Sequence, residues 1–267
     1  MHTLGREIRF SINPFSSAQQ QGFNSYASKP IGSEGLCLFL SLKVELSSSL
    51  NPDTGFVVNV ARIDASVRNV VVPLISDTIT TLCRNCQVPT LQNLANMLQT
   101  CWGPLQEEFP GKQLQCLILN LNPYRSISIQ SEDCMEMYYS EKFEFSAMHQ
   151  LWNNKFDDTQ NYEMFGKCAN PAGHGHNYIL EVKVTRPINL EDEHWIIEYQ
   201  NVVKEIFVDI VDHKNLNMDV AGFENLNPTV ENLARFAWES LADKFNRCKL
   251  CSITIWENDR TYCTYSE

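Results

Sequence analysis

Three histidines and one cysteine carry the strongest chemical signal in the chain. His174 and His176 stand two apart at the head of the strand-like run NYILEVKV. Side chains two apart on a strand share a face, so both imidazoles can reach one ion. The segment KFEFSAMHQ alternates Phe143, Phe145, Ala147 and His149 on one face, ending a second strand on a histidine with the parity to meet the pair. Three neutral imidazoles with an open fourth position are the coordination set of a catalytic zinc. Cys168 lies six residues before His174, in a loop where a nearby cation would lower its pKa and free it to act as a base. Taken singly, each histidine reads as a satisfied polar residue and Cys168 as a small buried one. The combined spacing is what favours a metal site.

These residues fall in an ordered set of motifs: FSAMH, FGKCANPAGHGHNY, VDHKNLNMDV, NPTVENLARFAW and TIWEN. Over about residues 138 to 267 the set resembles the 6-pyruvoyl tetrahydropterin synthase family. The resemblance implies zinc (Zn2+) on His149, His174 and His176, with Cys168 as general base. It implies Asp212 and His213 as an acid–base pair that can come from a neighbouring subunit, Glu257 as the carboxylate that grips the pterin, and Thr229 with Glu231 as a pocket at a helix start. The implied enzyme is a carbon–oxygen lyase of tetrahydrobiopterin biosynthesis, turning 7,8-dihydroneopterin triphosphate into 6-pyruvoyl tetrahydropterin with loss of triphosphate. The family also holds 6-carboxy-tetrahydropterin synthases of the deazaguanine (queuosine) pathway, which share every catalytic residue. Those usually have three residues between the cysteine and the His-x-His pair; this chain has five, as in the pyruvoyl enzymes. A non-catalytic pterin-binding scaffold is a third reading, against which the intact Cys168, Asp212 and His213 count. The chain departs from the family pattern at Asn258, where threonine is common, and at Glu198-Tyr199-Gln200-Asn201, in place of Asn-Leu-x-Asp.

Read without the family, SITIWE places Ile253, Ile255 and Glu257 on one strand face, a carboxylate ending an apolar row where it could accept paired N–H groups. Equally, it could be a solvated strand end. Asp212 and His213 alone would be a helix-end pair, the imidazolium favoured by the C-terminal dipole.

The elements that must position these groups come from a chain of 267 residues, 43% hydrophobic and 20% charged. No run approaches the ~20 apolar residues of a membrane span, and the N-terminal MHTLGREIRFSINPF lacks the apolar core of a signal peptide, so a cytoplasmic protein is expected. A net charge of −11 argues against nucleic acid and anionic membranes. A phosphorylated substrate would need local donors. The ten cysteines read as reduced thiols, and Cys83-x-x-Cys86 with Cys248-x-x-Cys251 lack the context of a four-thiolate zinc site.

The periodicity predicts strand (5 to 15), strand (LCLFLSLKVEL), a hairpin through NPDTG to GFVVNV, a helix carrying Val60, Ile63, Val67, Val70, Val71 and Leu74, a helix after Thr90, and the strand QLQCLILNL. The second half repeats the order, with HWIIEY as its third strand and SITIWE as its last. Phe10 and Phe145, Lys43 and Lys183, Thr90 and Thr229, and Leu117 and Ile253 all stand about 135 to 140 residues apart, which marks an internal duplication. The expected fold is α+β: two tandem tunnelling-fold units, residues 1–130 and 131–267, each a four-stranded antiparallel sheet with two helices on one face, joined by a linker at Pro123 to Cys134. Aligned on this register, the first half places Pro14 at His149, Glu34 and Leu36 at His174 and His176, Ile75 and Ser76 at Asp212 and His213, Gln92 at Glu231 and Leu121 at Glu257, which leaves it no metal site. Because such units assemble side by side and cover each other's sheet edges, the resemblance implies a homo-oligomer, with a trimer of tandem chains as the leading assembly.

Overall fold

In the computed structural model, which describes residues 1–15, 37–190, 192 and 194–267, the alternating segments of the first half pair edge to edge. β1 (His2–Ile12) runs antiparallel to β2 (Leu38–Ser48), from His2 opposite Ser48 to Ile12 opposite Leu38. A long helix follows, made of α1 (Val60–Ser66), a π-helical turn (Val67–Val71) and α2 (Val72–Arg84). Then come α3 (Leu91–Glu107), β3 (Gln113–Asn122) antiparallel to β2, and β4 (Arg125–Gln130) antiparallel to β3. The inward parity of the strands buries Ile8, Phe10, Leu42, Val44, Leu117 and Ile129, and the helices add Ile63, Val67, Val71, Ile75, Leu94 and Leu98. Beyond Ile63 the buried row keeps a spacing of four through the π turn, so Val60 and Leu74, which share the predicted helical stripe, end up exposed.

The second half builds β5 (Asp133–His149), α4 (Asp158–Phe165), β6 (His174–Pro187), α5 (Trp195–Val203), a π-helical turn (Lys204–Val208), α6 (Asp209–Val211), β7 (Lys214–Asn215), α7 (Leu216–Asp219), α8 (Val230–Leu241), β8 (Lys249–Asn258) and β9 (Thr261–Tyr265). The strand order is β5, β6, β8, β9, with β6–β8 and β8–β9 antiparallel. Short β7 lies parallel to β5 beside Ala147 and Met148. The compact units are Met1–Tyr139 with Pro187–Glu191, and Ser140–Arg186 with Asp192–Glu267. Both carry the α+β tunnelling-fold content of four main antiparallel strands and two long helices. No helix among the described residues is long and apolar enough to cross a membrane.

Four strands per unit are present, but one in each is not the strand that the periodicity predicts. NPDTG does turn, with Gly55 N–H donating to the Asn51 carbonyl at 2.8 Å. GFVVNV does not pair after it, because Asn59 caps α1, its side chain accepting from Ala61 N–H at 2.9 Å. HWIIEY is helical: Trp195, Tyr199 and Val203 bury one four-residue-spaced face, and the Tyr199 hydroxyl donates to the Val182 carbonyl at 2.8 Å. The missing strands lie at the other end of each half. Most of the stretch read as a linker, Pro123 to Cys134, is β4 and the start of β5, and β9 extends the chain beyond SITIWE. Both added strands follow asparagine turns: Asn122 accepts from Tyr124 N–H at 2.8 Å, and Asn258 from Arg260 N–H at 2.9 Å. An Asx turn of this kind reverses a strand in few residues.

The duplication extends to detail. The two π turns occupy the same place in the first long helix of each half. Thr90 and Thr229 cap the following helix, each accepting from the N–H of an asparagine three residues on. Asn93 returns the bond to Thr90 N–H at 3.0 Å, completing a capping box. Replacing Thr90 with alanine should therefore cost about 1 kcal/mol, read as a lower denaturant midpoint at unchanged slope, with bound metal unchanged.

Candidate metal centre

His149 ends β5, and His174 and His176 open β6; their ligand atoms all lie within 4.8 Å of one another. His149 is 1% exposed, and its Nδ1 is 2.7 Å from the Pro228 carbonyl oxygen. A carbonyl only accepts, so Nδ1 holds the proton and Nε2 presents its lone pair. That Nε2 lies 3.1 Å from Nε2 of His174. His174 Nδ1 and His176 Nε2 are buried without a hydrogen-bond partner among the described residues. Burial, first of all causes, holds His149 and His174 below the ordinary imidazole pKa, so both are neutral at neutral pH, as metal ligands must be. Two nitrogens at 2.0–2.1 Å from a tetrahedral ion stand about 3.3 Å apart, close to the separation found. The donor set and its orphaned buried nitrogens fit a divalent metal ion.

Neighbouring elements hold these ligands in place. Phe145 stacks on Tyr178 with ring centroids 5.0 Å apart and meets Phe207 of the π turn edge-on at 5.6 Å, fixing the apolar floor below the imidazoles. Beyond His149, Gln150 N–H donates to the Asn217 side chain at 2.7 Å, and Trp152 N–H to that of Asn227 at 2.9 Å. Leu151 N–H donates to the Cys168 carbonyl at 2.8 Å, and the Gln150 side chain to the Ala169 carbonyl at 2.9 Å. The cysteine loop is thus tied to the strand that ends on a ligand. Fully buried Asn161 donates to the carbonyls of Asn153, Phe156 and Asp157 at 3.0–3.3 Å, ordering the segment between them.

Of the other predicted residues, Glu257 lies beside the imidazoles, its Oε1 3.6 Å from His149 Nε2 and 3.5 Å from His176 Nε2. Cys168 sits half-buried in a 3-10 turn (Gly166–Ala169). The lowered thiol pKa expected there is not supplied by the side chains: burial raises it, and the charge of Glu257 raises it further. Asp212 and His213 form a pair, Nδ1 to Oδ2 at 2.9 Å. Asp212 also accepts from Ser146 N–H at 2.8 Å, the largest cause holding its carboxyl below the usual range. His213 adopts φ +56, uncommon outside glycine, with its N–H bonded to the Ser146 carbonyl at 2.6 Å. This clamp turns its side chain outward, 82% exposed. Thr229 caps α8, and Glu231 is exposed in its first turn.

The Pro228 carbonyl and the Gln150–Asn217 pair escape a reading of the sequence because backbone acceptors carry no side-chain signature. Only the Asn-Pro-Thr helix start hints at them. Buried Tyr178, whose hydroxyl lacks a partner among the described residues, shares the parity of His174 and His176 and was detectable from it. In the first half, Pro14 and Ile75 are buried, and Ser76, Gln92 and Leu121 half-buried, and His2 is the only histidine before His149. The placements at Glu34 and Leu36 lie outside the described residues.

The model of the 6-pyruvoyl tetrahydropterin synthase family matches residues 138–267. The 6-pyruvoyl tetrahydrobiopterin synthase of Pongo abelii is 34% identical over 134 residues, 47% of this chain and 88% of that protein. Its counterpart in Drosophila melanogaster is 36% identical over 124 residues, 45% of this chain and 74% of that protein. Among solved structures, the 6-pyruvoyl tetrahydropterin synthase of Caenorhabditis elegans is 32% identical at a TM-score of 0.45, covering 49% of this chain and 96% of that one.

Gly173 lets β6 approach β5 closely. It adopts φ +69, and a Cβ there would lie 2.9 Å from Met148 Cε and 3.0 Å from the His149 carbonyl oxygen. Gly173→Ala should destabilise by about 1–2 kcal/mol and, by displacing His174 from His149, weaken metal binding about tenfold, measured by thermal melting and chelator competition. Wild-type affinity in this variant would show that the close approach does not set the ligand geometry.

Proposed function

The chain belongs to the 6-pyruvoyl tetrahydropterin synthase family, and from that premise we propose that its second unit is a zinc lyase converting 7,8-dihydroneopterin triphosphate to 6-pyruvoyl tetrahydropterin and triphosphate. The observation that carries this reading is the convergence of three imidazoles, His149, His174 and His176, within the residues that match the family.

His149, His174 and His176 would hold the ion, which when bound acts as a Lewis acid toward side-chain oxygens of the substrate. Glu257, ending the apolar row of Ile253 and Ile255 on β8, accepts the paired N–H groups of the pterin ring and orients it. Cys168 takes a proton from a side-chain carbon and returns one to the ring, a role that requires its thiolate. The side chains around it oppose ionisation, so the thiolate depends on positive charge brought by the loaded site. Asp212 accepts the Nδ1 proton of His213 and fixes the tautomer, leaving His213 Nε2 to exchange a proton with the substrate. The exposure of His213 suits a dyad that serves the site of a neighbouring chain, in keeping with an oligomer of tandem chains. The first unit, with no histidine but His2, serves as a structural partner.

Incubation with dihydroneopterin triphosphate and mass analysis tests the reaction: the pyruvoyl product with release of triphosphate is expected, and a carboxy product would reassign the chain to the deazaguanine branch. Elemental analysis should find about one zinc per chain, since only one unit has the ligands; two would show a site missed in the first unit. Cys168→Ala should keep metal and fold while turnover falls by about 10²-fold or more, whereas His174→Ala should lose the metal as well. Equal loss of zinc in both variants would make the thiolate a ligand rather than a base.

A further inference from the structure

Glu257 sits where a fourth ligand belongs. Its Oε1 is 3.6 Å from His149 Nε2 and 3.5 Å from His176 Nε2, and His149 Nε2 in turn is 3.1 Å from His174 Nε2. Because the proton of His149 is on Nδ1, engaged by the Pro228 carbonyl, its Nε2 has none to offer the carboxylate. His176 Nε2 makes no hydrogen bond among the described residues. A carboxylate oxygen therefore faces two imidazole nitrogens at close range without hydrogen bonding to either, while a third nitrogen closes the group. A cation at their common centre would attract the carboxylate and the nitrogen lone pairs together. The separations approach the edge of about 3.3 Å expected for a tetrahedral site.

We propose that Glu257 is the fourth ligand of the metal in the substrate-free protein and leaves it when a pterin enters. The inference rests on the metal reading above and adds a ligand exchange to it. Without substrate, imidazole ligands, which bring no negative charge, would leave a dication in a mostly buried site with its charge uncompensated, which is costly; one carboxylate halves the net charge. Register fixes the backbone of β8 beside β6, with Trp256 opposite Ile179, so the exchange needs only side-chain rotation of a residue that is 20% exposed. An oxygen of the substrate takes the vacated position, and the freed carboxylate turns to the ring N–H groups. One oxygen donor replaces another; no covalent bond to carbon forms or breaks. The same residue thus couples pterin recognition to opening of the coordination shell, which keeps the ion shielded until substrate is in place.

The test measures Zn2+ affinity of the full chain by competition with a chromophoric chelator, in the absence of pterin, for wild type, Glu257→Gln, Glu257→Ala and His174→Ala. Both Glu257 variants should bind Zn2+ at least about tenfold more weakly than wild type, with unchanged far-ultraviolet circular dichroism. The visible bands of the Co2+-loaded wild type should shift when neopterin is added and should differ from those of Glu257→Gln before any addition. Affinities equal to wild type in both Glu257 variants, with the same Co2+ bands, would overturn the inference and leave the three-histidine reading standing. A wild-type chain that binds no Zn2+, or His174→Ala binding as tightly as wild type, would instead overturn that reading and this one with it.

Discussion

The bond from His149 Nδ1 to the Pro228 carbonyl, 2.7 Å long, is the contact on which the rest of the site depends. It decides which nitrogen of a buried imidazole keeps its proton, and so which presents a lone pair to the centre. A ligand whose tautomer is fixed by a backbone acceptor is oriented before any ion arrives. The same bond joins two elements remote in sequence, the end of β5 and the start of α8. Asn227 and Thr229, on either side of Pro228, are committed to the Trp152 N–H and the Asn232 N–H, so the carbonyl is held from both directions. The helix start thus orients the histidine cluster through its backbone geometry.

The two units separate architecture from chemistry. Each has the π turn in its first long helix, the threonine cap on its second, and the asparagine turn into its final strand. These features serve folding, through capped helix ends, matched helix faces and tight reversals. The three clustered histidines belong to the second unit. On the register read from the sequence, Pro14 and Ile75, both buried, stand in place of His149 and Asp212. A fold that persists while its reactive side chains do not is the usual relation between scaffold and site. It also explains why element order alone would give no reason to assign chemistry to one half over the other.

Strain and electrostatics mark where chemistry has overridden local preference. His213 accepts a left-handed backbone, a cost of about 1–2 kcal/mol per residue, held by paired bonds to Ser146. Tyr178 keeps a buried hydroxyl without a protein partner among the described residues, and burial, then Glu257, pushes its ionisation far above the usual phenol value. Cys168 lies in surroundings that favour the thiol. Each is unfavourable for the protein taken by itself and intelligible next to an ion and a substrate.

The sequence by itself determined the parity of the ligands: His174 and His176 two apart on a strand, and His149 in step with Phe145 and Ala147. Period two leaves no alternative once one face is buried. The duplication and the helix start at Thr90 were equally legible, since spacing and capping are local properties. Which segment becomes the fourth strand was not. GFVVNV and HWIIEY have the composition of strands, but the Asn59 cap starts α1 at the end of the first, whose other residues join neither helix nor strand, and the burial of Trp195, Tyr199 and Val203 makes the second helical from Trp195, while short β4 and β9 gained their place by pairing with β3 and β8. Tertiary structure alone decided the proton on His149, the approach of Glu257 to the imidazoles and the outward turn of His213, because each depends on a partner that the chain brings back from dozens of residues away.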